Sequence, residues 1–293
     1  MYRPPSSKTV ALDTGLDYHY LEWEGADAEH TVVLVHGFLD FAWGWLGAAR
    51  AGLSERFHLV APDMRGHGDS DRVGPGGYYY FFDYIADLVS FIEQVGRGRV
   101  SLVGHSMGGS ICGYYTGTYP DKVHKLALLE GMGPPEMNGP MPERVDFWIR
   151  SARAARQRTP KPSATVADAA ARLRRHDALL DESLSLELAE HGTRELEDGS
   201  RVFKHDPLHM TRGPIPYKVD VAVEFWQRIQ CPTLVVEGAE SAQRLSPEEA
   251  PRRMGRLPAH EYLLLDGAAH MMQRHRPAEL ASALVDFLSD SAL

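Results

Sequence analysis

The chain has 293 residues, 43% apolar and 24% charged, with 27 glycines and 19 prolines, a profile that supports a large core and excludes disorder, collagen and coiled coil. Its 31 Lys plus Arg stand against 40 Asp plus Glu, and the net charge of −9 repels a phosphate backbone, so nucleic acid is not an expected partner. No run reaches the ~18 consecutive apolar residues of a membrane helix, and the opening MYRPPSSKTVALDTG lacks the apolar stretch of a secretion signal. Cys112 and Cys231 lie far apart and outside any C-x-x-C spacing, which argues against a disulfide framework or a zinc cage. A cytoplasmic protein with two small buried thiols is the expectation.

In chain order, KTVALDTG and DYHYLEW have strand character, and TVVLV is a continuous apolar run suited to a strand covered on both faces. From there FHLVAPD, VSLVGHS, KLALLEG, PTLVVEG and EYLLLDG alternate with helical stretches. That rhythm means βαβ crossovers, in an α/β sheet that starts antiparallel and turns parallel. Ile85, Leu88, Val89 and Ile92 share one helix face, as do Leu280, Leu284, Phe287 and Leu288. Ser246-Pro247-Glu248-Glu249 reads as a capping box, with Gly255 as a stop.

Between Gly133 and about Trp226 the alternation lapses. After the loop PPEMNGPMPE, the spacing of Val145, Trp148, Ile149 and Ala152, and of Val166, Ala169, Ala170 and Leu173, predicts amphipathic helices with no strand between them. The chain is thus divided into 1–133, a helical insertion at 134–225, and 226–293. Eight basic residues between Arg150 and Arg175, against the single acid Asp168, read as a solvated helix face.

Gly104-His105-Ser106-Met107-Gly108 lies between the strand VSLV and the helix that includes Ile111 and Tyr114. A G-x-S-x-G at so sharp a turn forces the serine into a strained backbone conformation and lifts its hydroxyl above the sheet edge, which the flanking glycines permit. The helix behind adds N–H groups and a positive dipole end. His36-Gly37-Phe38 closes the strand TVVLV, and the loop after it can aim the Phe38 N–H at the same point as that of Met107, making an oxyanion hole. His270 follows EYLLLD on the short loop GAAH, at the carboxyl edge of the sheet where loops converge, and can take a proton from serine near neutral pH and return it. His205 and His209 have the spacing of a metal pair, but Pro207 between them breaks the helix that spacing requires, so neither metal nor other cofactor is expected.

On these residues the chain resembles the α/β-hydrolase superfamily over nearly its whole length: HGF at 36–38, PDMRGHGDSD at 62–71, GHSMGG at 104–109, and DGAAH at 266–270 followed by RPAELASALVDFL. The HGFLD opening, GHSMGG and LLEGMGP look most like the serine hydrolase-like branch. The resemblance implies an α/β-hydrolase fold, an eight-stranded, mostly parallel sheet flanked by helices, with a helical cap inserted after the sixth strand. It implies Ser106 as nucleophile and His270 as base, with His67 and His105 at positions filled for structural reasons. Most members carry the acid as Gly-x-x-Asp after the seventh strand, whereas Gly238-Ala239-Glu240-Ser241 puts serine there. Two carboxylates could replace it: Glu240, one residue early, or Glu130 at the end of the sixth strand, where some hydrolases of this fold draw their acid. Glu130 is the favoured acid and Glu240 the alternative.

His36, Trp43, Met132 and Met271 are expected to line the substrate pocket, with Phe147 and Trp148 reaching down from the cap, giving an apolar site. A serine nucleophile argues against the alkyl-ester chemistry of dehalogenases and epoxide hydrolases. Hydrolysis of a small carboxylic ester through an acyl-enzyme is the expected activity, with thioester, amide or C–C cleavage and perhydrolysis through the same hole as alternatives. A slow or non-catalytic small-molecule receptor is the alternative of another class. Expected partners are an ester or acyl substrate and, at most, a second copy in a homodimer.

Overall fold

The computed structural model describes residues 2–289. Its strands are β1 (Ser6–Ala11), β2 (Asp17–Trp23), β3 (Asp27–Val35), β4 (Phe57–Pro62), β5 (Arg99–His105), β6 (Leu126–Leu129), β7 (Thr193–Glu195), β8 (Arg201–Phe203), β9 (Thr233–Gly238) and β10 (Glu261–Leu265). Its main helices are α1 (Phe81–Val95), α2 (Met107–Thr118), α3 (Met141–Arg156), α4 (Val166–His176), α5 (Glu182–Gly192), α6 (Val219–Trp226), α7 (Glu249–Arg253) and α8 (Pro277–Leu288). Eight strands form one sheet in the order β1-β2-β4-β3-β5-β6-β9-β10, antiparallel from β1 to β4 and parallel from there on, as the sequence pattern implied.

The central strands are apolar on both sides because both faces are covered. On one face α1, α2 and α6 bury Leu88, Phe91, Ile111 and Trp226 against Val33, Leu102 and Leu128. On the other, α8 and the helical turns between Ala42 and Arg56 bury Leu280, Leu284, Trp45 and Leu53 against Val32, Leu34 and Val236. Cys112 and Cys231 are free thiols, the first buried. No helix among the described residues is long and apolar enough to cross a membrane.

The segment between β6 and β9 begins with helices where the periodicity placed them. Thr165 and Asp168 close a reciprocal capping box at the start of α4, and α4 meets α5 through Ala169, Ala170 and Ala189. Two features depart from the sequence reading. A two-stranded hairpin, β7–β8, follows α5; its strands are three residues each, too short to show a period-2 pattern. The boundary drawn at 225 also cuts α6, whose Val219, Ala222 and Trp226 are buried against the sheet's own helix layer rather than in the insertion.

Candidate active site

β5 runs into α2 through Ser106, whose backbone stands at φ 52° and ψ −117°, a conformation that costs a non-glycine residue about 1–3 kcal/mol. Close packing imposes the turn: a Cβ on Gly104 would come 2.5 Å from the Gly108 carbonyl oxygen, and one on Gly108 only 2.2 Å from that of Val35. The helix start is thereby pressed against β3 and β5. Ser106 donates its own N–H to the Leu129 carbonyl (2.9 Å), which binds the elbow to the end of β6. Its side chain lines a cavity of about 870 Å³ at the carboxyl edge of the sheet.

Glu130, the next residue after β6, also has a left-handed backbone, at φ 44°. Its carboxylate is 1% exposed and faces three donors: the Gly238 N–H (2.9 Å), the Ser241 hydroxyl (2.8 Å) and the Nδ1–H of His270 (2.6 Å). Burial alone would push its pKa up, but the bonds from His270, Gly238 and Ser241 outweigh burial and hold it below the ordinary carboxylate value. A carboxylate only accepts, so Nδ1 of His270 carries the proton and Nε2 is left free to receive one. Glu240 is exposed and makes its backbone bond to Ala268 instead (2.9 Å), so the imidazole's carboxylate partner is Glu130. Ser241, dismissed in the sequence for being no acid, supplies the hydroxyl that helps keep Glu130 charged.

The loop that follows β3 is anchored from below by the 62–71 segment. His36 is fully buried, its Nε2 accepting the Met64 N–H (2.9 Å) and its Nδ1–H donating to the Gly37 carbonyl (2.7 Å). The Leu39 N–H donates to His67 Nε2 (3.2 Å), and the Ala42 N–H donates to Asp63 (2.6 Å), which also accepts from Asp69. With its neighbours so engaged, the Phe38 N–H has no acceptor among the described residues, and Met107, first in α2, has no helical carbonyl to bond. Gly37 brings this loop onto the elbow; a Cβ there would stand 3.2 Å from Cβ of Ser106. Phe38, Ser106, Met107 and Glu130 all border the 870 Å³ cavity.

The remaining walls of that cavity are Phe81, Ser110, the 133–137 segment and residues 242–253 in part, with Pro134, Pro135, Met137 and Leu245 as apolar lining beside the charged Glu136, Arg244, Glu249, Arg252 and Arg253. The pocket residues expected from sequence are distributed differently. His36 lies beneath the loop with both nitrogens used, Met132 is packed in the core, and Trp43 stacks on His191 at 3.5 Å. Phe147 is exposed on α3 beneath Arg212, and Trp148 rests on Tyr78. Met271 borders a separate cavity of about 100 Å³ that shares Phe38 and reaches Leu173, Phe203 and His205 of the insertion. His209 stacks between His67 and Tyr79, and burial lowers its pKa to about 4.

The chain belongs to the alpha/beta hydrolase fold family, whose model matches residues 30–277. It is 31% identical over 210 residues to the serine hydrolase-like protein of Danio rerio, a match covering 70% of this chain and 64% of that one. It is 32% identical over 117 residues to epoxide hydrolase 4 of Mus musculus, covering 40% of this chain and 32% of that one. Both matches leave more than a third of the relative outside. Among solved structures, the thioesterase domain from the curacin biosynthetic pathway superposes with a TM-score of 0.82 at 25% identity, covering 97% of this chain and all of that one.

Proposed function

We propose that the chain is a serine hydrolase that cleaves a carboxylic ester or thioester with a small, largely apolar acyl group, through an acyl-enzyme on Ser106. The observation that carries this reading is the Glu130–His270 bond of 2.6 Å, on the loops that flank the strained serine elbow. His270 takes the Ser106 proton as the oxygen attacks the carbonyl, and Glu130 supports the imidazolium that results. The negative charge on the carbonyl oxygen is met by the N–H groups of Phe38 and Met107. His270 then returns the proton to the leaving alcohol or thiol, and water repeats the cycle to release the acid. The likeness to a thioesterase domain and the apolar walls favour an acyl substrate. An epoxide opened through an alkyl ester would need a carboxylate at 106, where this chain has serine.

Fluorophosphonate labelling together with a p-nitrophenyl ester series of increasing acyl length tests the reading. Labelling and turnover should both vanish in Ser106→Ala, a loss of about 10⁶ in kcat where the catalytic groups act as a unit. Labelling that persists at another serine, or a folded wild type that neither labels nor turns over, overturns it.

A further inference from the structure

His105, one residue before the serine, is 1% exposed, and its ring has two defined partners. Its Nε2 lies 2.8 Å from the backbone carbonyl of His270. A carbonyl only accepts, so the ring proton resides on Nε2, and Nδ1 must act as acceptor. Nδ1 faces the side-chain NH₂ of Gln273 at 3.4 Å, and that same nitrogen lies 3.4 Å from Asp40 Oδ2. Gln273 and Asp40 are themselves buried, at 1% and 4% exposure, and Asp40 is also paired with Arg274. The chain of donors therefore runs one way: Gln273 to Asp40 and to His105, and His105 to the carbonyl of His270.

We propose that His105 is a positioning residue for His270, its Nε2–H fixing the His270 main chain so that the imidazole meets Glu130 and the serine together. The inference rests on His270 acting as the base. The geometry joins three loops: Asp40 is two residues from Phe38, His105 adjoins Ser106, and Gln273 is three residues from His270. The two imidazole centroids are 4.6 Å apart, so a charged His105 would repel the imidazolium that forms on His270. Burial first, and then the neighbouring His270, lower the pKa of His105 to about 3, so it contributes a donor and no charge.

The test compares His105→Gln, whose amide nitrogen reaches about as far as Nε2, with His105→Leu, which fills the space without a donor, and His105→Asn, whose nitrogen falls short. Two readouts are taken, kcat and KM on one activated ester and the low-field proton resonance of the His270 Nδ1–H, assigned by its loss in His270→Ala. Leu and Asn should lower kcat about 10–100-fold with KM within about twofold, and broaden the resonance, whereas Gln should keep both near wild type. If Leu fails to fold, the contrast between Asn and Gln decides alone. Equal kcat and equal resonances across the folded variants overturn the positioning role. If the wild type shows no turnover or labelling while the resonance still separates Gln from Asn, the hydrolase reading fails and the positioning stands.

Discussion

Glu130 holds its charge in a buried place through the donors around it, one from the main chain and two from side chains. Glu130→Gln keeps the shape but presents an amide to Nδ1 and leaves the imidazolium unsupported, so kcat should fall by up to about 10⁴, while Glu240→Gln changes little. Ser241 Oγ lies 2.8 Å from the Glu130 oxygen that His270 also contacts. Asp at that position should therefore harm the otherwise native chain through like-charge repulsion, yet restore part of the rate lost in Glu130→Gln; kcat of the two singles and the double checks this. The pH dependence follows from the same bonds. The folded pKa of Glu130 lies below its ordinary value of 4.5, so its stabilisation is present above that pH and is lost as pH falls through the lowered value. The gap in urea midpoint between wild type and Glu130→Gln should accordingly narrow as pH falls below 4.5, and a gap that widened on acidification would contradict the assignment. The carboxylate and imidazole were both legible in the sequence. The hydroxyl at 241 and the donors around His105 were not, because their meaning depends on which loops the fold brings together.

At the scale of elements, α2 carries the elbow because its glycines let it approach the sheet. Gly108→Ala would set a methyl group 2.2 Å from the Val35 carbonyl, a backbone atom with nowhere to go, and should cost about 3 kcal/mol by denaturant titration. Gly113, on the same helix, faces only the indole of Trp226 at 3.3 Å, so Gly113→Ala should stay within about 1 kcal/mol of wild type, its helix propensity offsetting a slight crowding. Equal losses at both sites would mean that the helix, and not its contact with β3, sets the cost. Such long apolar elements announce themselves in sequence by period and length. The β7–β8 hairpin did not, since strands of three residues around Asp198-Gly199 leave a turn signal and no pattern. The pocket walls were misplaced for a related reason: Trp43, Phe147 and Trp148 are large and apolar, yet what they face is decided by partners distant in sequence, His191, Arg212 and Tyr78.

On the scale of the whole molecule, the insertion is fastened to the core by contacts that bypass the large cavity. Arg50 grips Glu187 with both nitrogens, Asp177 accepts from His275 (2.6 Å), and Asp206 accepts from Tyr79 (2.8 Å). None of the residues from 138 to 216 borders the 870 Å³ cavity, whereas Leu173, Gly192 and Phe203 to His205 wall the small one. The two ends of the insertion also meet, with the Met137 N–H 3.5 Å from the Tyr217 carbonyl oxygen. Excising 139–215 with a short Gly-Ser link should thus leave a folded core that still reacts with a small fluorophosphonate at Ser106 and keeps its preference for acyl length. Excising 134–225 instead removes Val219 and Ala222 from the layer against the sheet, loses their buried apolar contacts, and should yield an aggregated chain. A folded, monodisperse 139–215 deletion that no longer labels would mean that the insertion supplies part of the reacting geometry, and that the division between a self-sufficient core and its cap is wrong.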